Sequence, residues 1–433
     1  LAALTGDRTL PFTVGPCCVR SGTQIRVRRV PTRNMEANDR NVVKFTALAH
    51  ALFHTYELSI PLFVGVWMAD FDASAALVGT VVGAGYALVG LGAPISGVLS
   101  DRFGCRRLIS LSMVGMGVGF ALVSLADGVV VLGAAMLVWG AFASLYHPAG
   151  LSLISRSAEE RGTVFAYHGA GGNVGTAAGP LVTALLLLSV DWQLAVGLLA
   201  VPAFVAALLG SRVEFDAVGG DDTASVSLGA ELRRTVAESR ALFGAAFTVT
   251  FVAILLYGTY YRGLLTFLPD VLAESPSLVP VALFGREIDP AQYVYTGLLT
   301  VGIAGQYVGG RLTDRVPSTT TFVAAFATLA GLAVAFPVVR TVGVVPLVAV
   351  CLALGFVVYG TAPVYQVVIA EHAAADAHGR SYGFTYLAMF GVGAAGASVA
   401  GIVLTHATSA VLFGVLGAVA VTGCGFVLRL RRL

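Results

Sequence analysis

The sequence predicts an all-α integral membrane protein with twelve transmembrane helices in two pseudo-symmetric six-helix bundles and both termini cytoplasmic. Three observations carry this expectation. Of 433 residues, 57% are hydrophobic and only 12% charged, with a mean hydropathy of +0.85; soluble proteins carry about 25% charged residues. At about 20 residues per span, the long apolar runs leave room for roughly twelve spans. Finally, the charged turn Gly97-Val-Leu-Ser-Asp101-Arg102-Phe-Gly104-Cys-Arg106-Arg107 is echoed by Gly310-Arg-Leu-Thr-Asp314-Arg315. An acid and a base side by side between hydrophobic spans, occurring twice, indicates two related halves.

In chain order, residues 1–40 are polar and basic and lack the apolar core of a signal peptide; they are expected to form a disordered cytoplasmic extension. The first bundle covers 41–212, with spans at 44–67, 75–99, 107–126, 129–155, 162–188 and 192–211. A polar stretch with Gly219-Gly220-Asp221-Asp222 and Arg233-Arg234 marks a central cytoplasmic loop at 213–242. The second bundle covers 243–433, with spans at 243–270, 292–310, 319–339, 343–369, 380–405 and 408–428. Gly is abundant at 52 residues, which suits closely packed membrane helices.

Basic residues fix the orientation. Arg102, Arg106, Arg107, Arg156, Arg161, Arg212, Arg311, Arg315 and Arg380 cluster in alternate loops, and Arg429, Arg431 and Arg432 share their side. The other loops are mainly acidic, with Asp70, Asp72, Asp127, Asp191, Glu274, Glu287 and Asp289. The positive-inside rule puts both termini in the cytoplasm, and a multi-pass protein of the plasma membrane is expected. The five Cys show no metal-ligand spacing, so neither metal nor cofactor is expected. A net charge of +2 gives no reason to expect nucleic acid. No Gly-x-x-x-x-Gly-Lys loop occurs, which argues against ATP as the energy source.

The paired turns in this topology resemble those of the major facilitator superfamily. Gly97, Asp101, Arg102, Gly104, Arg106 and Arg107 occupy that family's pattern between spans 2 and 3, whereas Gly310, Asp314 and Arg315 form a degraded second copy ending in Val316-Pro317. Tyr146-His147-Pro148-Ala149-Gly150, Gly171-Gly172-Asn173, Gly175 to Pro180 and Thr266-Phe267-Leu268-Pro269 look like the fosmidomycin-resistance group of drug exporters. Gly175, Gly179 and Pro180 are also similar to the fifth-span signature of proton-coupled antiporters, with Ala166 departing from the pattern upstream. The resemblance implies that Asp101 and its neighbouring bases act as a conformational latch at the inner edge. Glu371 and Arg380 are candidates for a matching latch, although ordinary topology-setting loop charge explains them as well.

Ionisable residues inside a span are costly and mark functional sites by default. Span 1 carries His50, His54 and Glu57, whose spacing of four then three places them on one face. Glu57 is the first candidate for a proton carrier, with the histidines as relays or substrate ligands; a structural hydrogen-bonded cluster is the plainer alternative. Arg262 in span 7 needs a carboxylate, a substrate anion or a carbonyl as partner, and Glu57 across the central cavity is one such partner. Snorkelling to the outer surface is the other option. His147, Tyr261, Asn173, Gln306 and Tyr365 complete the candidate substrate-binding set. These residues lead to the expectation of a secondary transporter rather than an enzyme, working by alternating access in a lipid bilayer. It would function as a monomer and couple protons to efflux of small drug-like or metabolite molecules. Proton-coupled uptake of an organic anion is the alternative, and a membrane haem or redox protein using His50, His54 and His147 a remote one.

Overall fold

The computed structural model describes residues 35–216, 229, 233, 237, 243–283, 286–372 and 383–433. The expected extension over 1–34, most of the central loop and Arg380 lie outside them. Among the described residues, ten helices are long and apolar enough to cross a membrane. In chain order the elements are α1 (Ala37–Ser59), α2 (Pro61–Asp70), α3 (Ala75–Phe103), α4 (Cys105–Ser124), α5 (Val129–Ala143), α6 (Tyr146–Ser157), α7 (Arg161–Leu187) and α8 (Trp192–Ser211). The second half holds α9 (Ala245–Ala273), α10 (Pro290–Thr313), α11 (Ser318–Val342), α12 (Val344–His372), α13 (Ala395–His406) and α14 (Ser409–Leu430). Helices α5 and α6 together make one span, Val129–Ser157. Helices α1, α2 and α10 fall outside the ten. The first carries Asp39, Arg40, Lys44, His50, His54 and Glu57, and α10 is likewise rich in Gln and Tyr.

Local chemistry sets the ends. Ser74, Asp191, Asp289 and Thr408 cap α3, α8, α10 and α14 by accepting a backbone N–H of the first turn, satisfying donors that a helix start leaves free. Gly104 turns α3 into α4 with φ 86°, a conformation that costs a residue with a Cβ. Pro61 breaks α1 from α2 because it has no N–H to give Glu57. The freed carbonyl of Glu57 accepts the Tyr86 hydroxyl at 2.8 Å, and that of Leu58 accepts the Tyr295 hydroxyl at 3.3 Å. The break is thus satisfied from both halves of the chain.

Three features differ from the sequence expectation. Residues 37–40 belong to α1 instead of a disordered extension, so the boundary at 40 is too late. Buried Asp39 accepts the backbone N–H of Glu159 at 3.1 Å and of Glu160 at 2.8 Å, and Asn38 donates to the Ser157 carbonyl. A π-helical turn, Leu387–Val392, interrupts the span Gly383–His406, where a Cβ on Gly90 would stand 2.0 Å from the Gly391 nitrogen. A short antiparallel hairpin, β1 (Val281–Leu283) and β2 (Arg286–Ile288), pairs Val281 with Ile288 between α9 and α10.

Packing repeats across the halves. Helix α1 lies on α7, α3 on α5 and α4 on α8; correspondingly α9 lies on α13, α10 on α12 and α11 on α14. The halves meet along α3 with α13, α7 with α10, and α2 with α9. Small residues make the first seam: a Cβ on Gly79 would stand 2.7 Å from the Ala397 carbonyl oxygen. Near its end, the Ala76 N–H donates to the Thr405 hydroxyl at 2.8 Å.

Candidate functional site

Glu57 is fully buried on α1 and Arg262 is 2% exposed on α9. Arg262 Nη2 donates to Glu57 Oε1, joining the two halves through a buried ion pair. The guanidinium also lies 3.7 Å from the Tyr86 ring centroid and 5.4 Å from that of Phe390, while its Nε has no partner. Snorkelling is therefore not what Arg262 does. Bare charges at this depth would each cost about 2.5–3.5 kcal/mol on insertion scales, and the pairing offsets this.

A histidine chain continues from Glu57. His54 Nδ1 is 2.8 Å from Glu57 Oε2, His54 Nε2 is 3.1 Å from His50 Nε2, and His50 Nδ1 is 2.9 Å from the His168 carbonyl oxygen. Hydrogen placement follows from which atoms can accept. The carbonyl only accepts, so His50 carries its hydrogen on Nδ1 and presents a lone pair at Nε2. His54 Nε2–H fills that lone pair, which commits the one hydrogen of a neutral His54. The link to Glu57 then needs one further proton, held on the carboxyl or on His54 as imidazolium. With every link made, the chain stores one proton more than neutral histidines and a carboxylate would.

Four more rings frame this chain. His168 of α7 stacks on His50 with centroids 4.1 Å apart, and its approach requires Gly172, where a Cβ would stand 2.6 Å from the His50 ring. The same glycine row brings Gly179 against Thr55, with a Cβ 2.6 Å from the Thr55 Cα; Gly175 leaves no more room beside Ala51, and Pro180 follows in the same helix. Buried His147 faces Phe53 edge-on at 4.4 Å and stacks on Tyr386 at 5.2 Å across the halves. Its Nε2 has no partner.

The donor nitrogens of His50, His54 and His147 lie within 4.8 Å of one another. They could hold a metal only by giving up the His50–His54 bond. Haem finds no support, because the nitrogens of His50 and His54 are already spent along the chain.

Beyond His147 lies a cavity of about 570 Å³ lined by Leu151, Ser155, Phe165, Tyr365, Gln366, Thr385, Tyr386, Met389 and Phe390. It sits on the arginine-rich side, beside Arg156 and one turn inward from Arg161, and among the described residues no charged side chain lines it. Phe390 connects the cavity wall to Arg262. Among the candidates, Tyr365 lines the cavity. Tyr261 lies 3.3 Å from the Tyr359 hydroxyl, whereas Asn173 and Gln306 are half-buried outside the lining. Sequence reading missed the roles of Tyr86 and Phe390, since both come from helices whose facing periodicity cannot reveal. It also passed over Asp270, although an acid right after Pro269 in an apolar span was visible.

At the rim, Arg156 pairs with Asp101 in an exposed ion pair, and Arg106 donates to the Val213 carbonyl at 2.8 Å. Gly97 and Arg107 frame this turn, while Arg102 lies 5.8 Å from the Phe103 ring. In the second copy Asp314 and Arg315 are exposed, and no ion pair joins them among the described residues. Gly310 faces Pro363 there, and Ser318 instead donates to Glu371.

The bacterial homologue of the human lysosomal transporter Spinster, inward-facing and occupied, matches with a TM-score of 0.69 at 13% identity, covering 92% of this chain and 98% of that one. A mutant of the nucleoside transporter NupG matches at 0.71 and 12% identity, over 90% of this chain and 99% of that one. The peptide transporter POT in complex with sulfate matches at 0.69 and 15%, over 90% and 94%. In sequence, the puromycin resistance protein pur8 of Streptomyces alboniger is 34% identical over 122 residues, 28% of this chain. That match spans about a quarter of the relative, 24% of its length. The Major Facilitator Superfamily model matches residues 46–398, and this chain accordingly belongs to the major facilitator superfamily of membrane transporters.

Proposed function

We propose that the chain is a proton-coupled antiporter that exports small drug-like or metabolite molecules from the cytoplasm across the plasma membrane by alternating access. The observation that carries this reading is the Arg262–Glu57–His54–His50 chain, which bridges the halves and has room for one labile proton. Both termini are cytoplasmic, as the arginine distribution supports, and one chain supplies both halves, so a monomer suffices.

Substrate enters the aromatic cavity from the cytoplasmic side and meets Tyr365, Tyr386 and Phe390. His147 and Phe390 separate it from the proton chain. A proton arriving from outside completes the His54–Glu57 link and loosens the hold of Glu57 on Arg262, so cargo and proton occupy the carrier in turn. The match to a puromycin resistance protein supports export, as does the resemblance of Tyr146–Gly150 and Gly171–Pro180 to the fosmidomycin-resistance group.

Glu57→Gln tests the reading in proteoliposomes. Transport driven by an imposed pH gradient should vanish, while substrate exchange without a gradient continues. Driven transport at the wild-type rate would remove Glu57 from coupling. Uptake of an organic anion is the second reading, favoured by the unpartnered Nε of Arg262. The direction of flux under the same gradient separates the two.

A further inference from the structure

Glu57 and Arg262 form one rung between the halves, and a second stands eight residues further along the chain on each side. Gly65 on α2 follows Glu57 by eight, and Asp270 on α9 follows Arg262 by eight. At about 1.5 Å rise per residue, the second rung lies about 12 Å from the first, away from the arginine-rich loops.

Its chemistry is unlike that of the first. The acid stands on the second half, and the position opposite carries no side chain. A Cβ on Gly65 would overlap Asp270 Oδ1, so the carboxyl is pressed against the α2 backbone. Asp270 Oδ2 is sealed from solvent without a hydrogen-bond partner. Around it stand Glu274 one turn on and Asp289 at the start of α10, both acids. Asp70 at the end of α2 is engaged by the Trp192 indole at 3.0 Å. Arg340 of α11 is held by the Glu274 carbonyl and the Ser409 hydroxyl, and His406 is exposed at the end of α13.

We propose that Asp270 is a proton-binding site of the outer seam, which keeps the halves closed there when protonated and lets them part when ionised. Closing the seam over a carboxylate strands a charge without a counter-charge, a cost that protonation removes. Parting the halves admits water, which solvates the anion. The outer gate thereby senses external pH through a group separate from the Glu57 chain, and protons outside favour the closed gate. The inference rests on the alternating-access reading above, but needs no particular substrate.

The experiment follows the seam itself. In the full chain with its five cysteines changed to serine, Ser398→Cys places a near-isosteric thiol on α13 facing Gly83 of α3. A membrane-impermeant maleimide is applied from outside between pH 5.5 and 8.5. Each rate is divided by that of a Leu125→Cys reporter in the exposed loop after α4, which cancels the thiol's own pH response. With Asp270 present, the normalised rate should rise several-fold with pH. Asp270→Asn and Asp270→Ser should give a low, flat profile, and Asp270→Glu should restore the rise. A Glu57→Gln background should shift the absolute rate, because Arg262 loses its partner, but keep the rise with pH. An unchanged rise in both Asn and Ser variants overturns the proposal. Loss of the rise with Glu57→Gln also overturns it, by assigning the response to the first rung. Failure of the export reading, seen in flux, leaves this labelling result unaffected.

Discussion

Two arginine–carboxylate pairs in this protein have the same chemistry and opposite surroundings. Arg156–Asp101 sits at the rim with side chains 40% and 54% exposed, whereas Arg262–Glu57 is 2% and 0% exposed. Water screens the first, so the pair adds little to stability and can form or break as the halves move. The second is shielded from water, so neither charge can be left alone without a large cost. One pair is suited to a latch and the other to an element that exchanges partners during transport.

The sharpest way to break this comparison is Arg262→Met, which takes the arginine counter-charge from buried Glu57. A loss of about 3–5 kcal/mol is expected, the range for a buried pair that loses one partner, read as a large drop in thermal midpoint of the detergent-purified protein. Adding Glu57→Gln to Arg262→Met should recover much of it, since no charge then remains. If the single variant is as stable as wild type, the buried pair is already solvated and the contrast with the rim fails.

Asp101→Asn should cost only about 0–1 kcal/mol. That difference should shrink at 1 M salt, where the screening length falls to about 3 Å. If the pair is a latch, transport should suffer more than stability, because a latch acts on the balance between states. A stability loss comparable with that of Arg262→Met would mean the rim pair is structural.

The contrast also shows how far a sequence can be read. Span ends were legible because twenty apolar residues bounded by charge admit few alternatives, and the ends lie within a few residues of those expected, apart from α1, which starts seven residues earlier. The face shared by His50, His54 and Glu57 was legible because helical spacing encodes it. What one helix presents to another is not encoded in its own periodicity. The Tyr86 hydroxyl on the Glu57 carbonyl, His168 on His50 and Gly65 opposite Asp270 all needed the packing. The π-helical turn at Leu387–Val392 escaped for the same reason, since the constraint comes from Gly90 on a different helix.

The smallest expected effect tests whether the repeated motif means a repeated device. Asp314 matches Asp101 in sequence, yet it is exposed and has no ion-pair partner among the described residues, and the counterpart acid Glu371 accepts from Ser318 instead. Asp314→Asn should therefore change stability by less than about 0.5 kcal/mol, as at an ordinary surface position, and leave the driven transport rate close to wild type. Thermal midpoint and flux, measured beside Asp101→Asn, decide it. If Asp314→Asn impairs flux as strongly as Asp101→Asn, the halves carry equivalent latches and the second pair forms in another state of the cycle. If only Asp101→Asn does, the duplicated turn has kept its topology in the second half and lost its latch, which leaves the rim of the first half to control the inner gate.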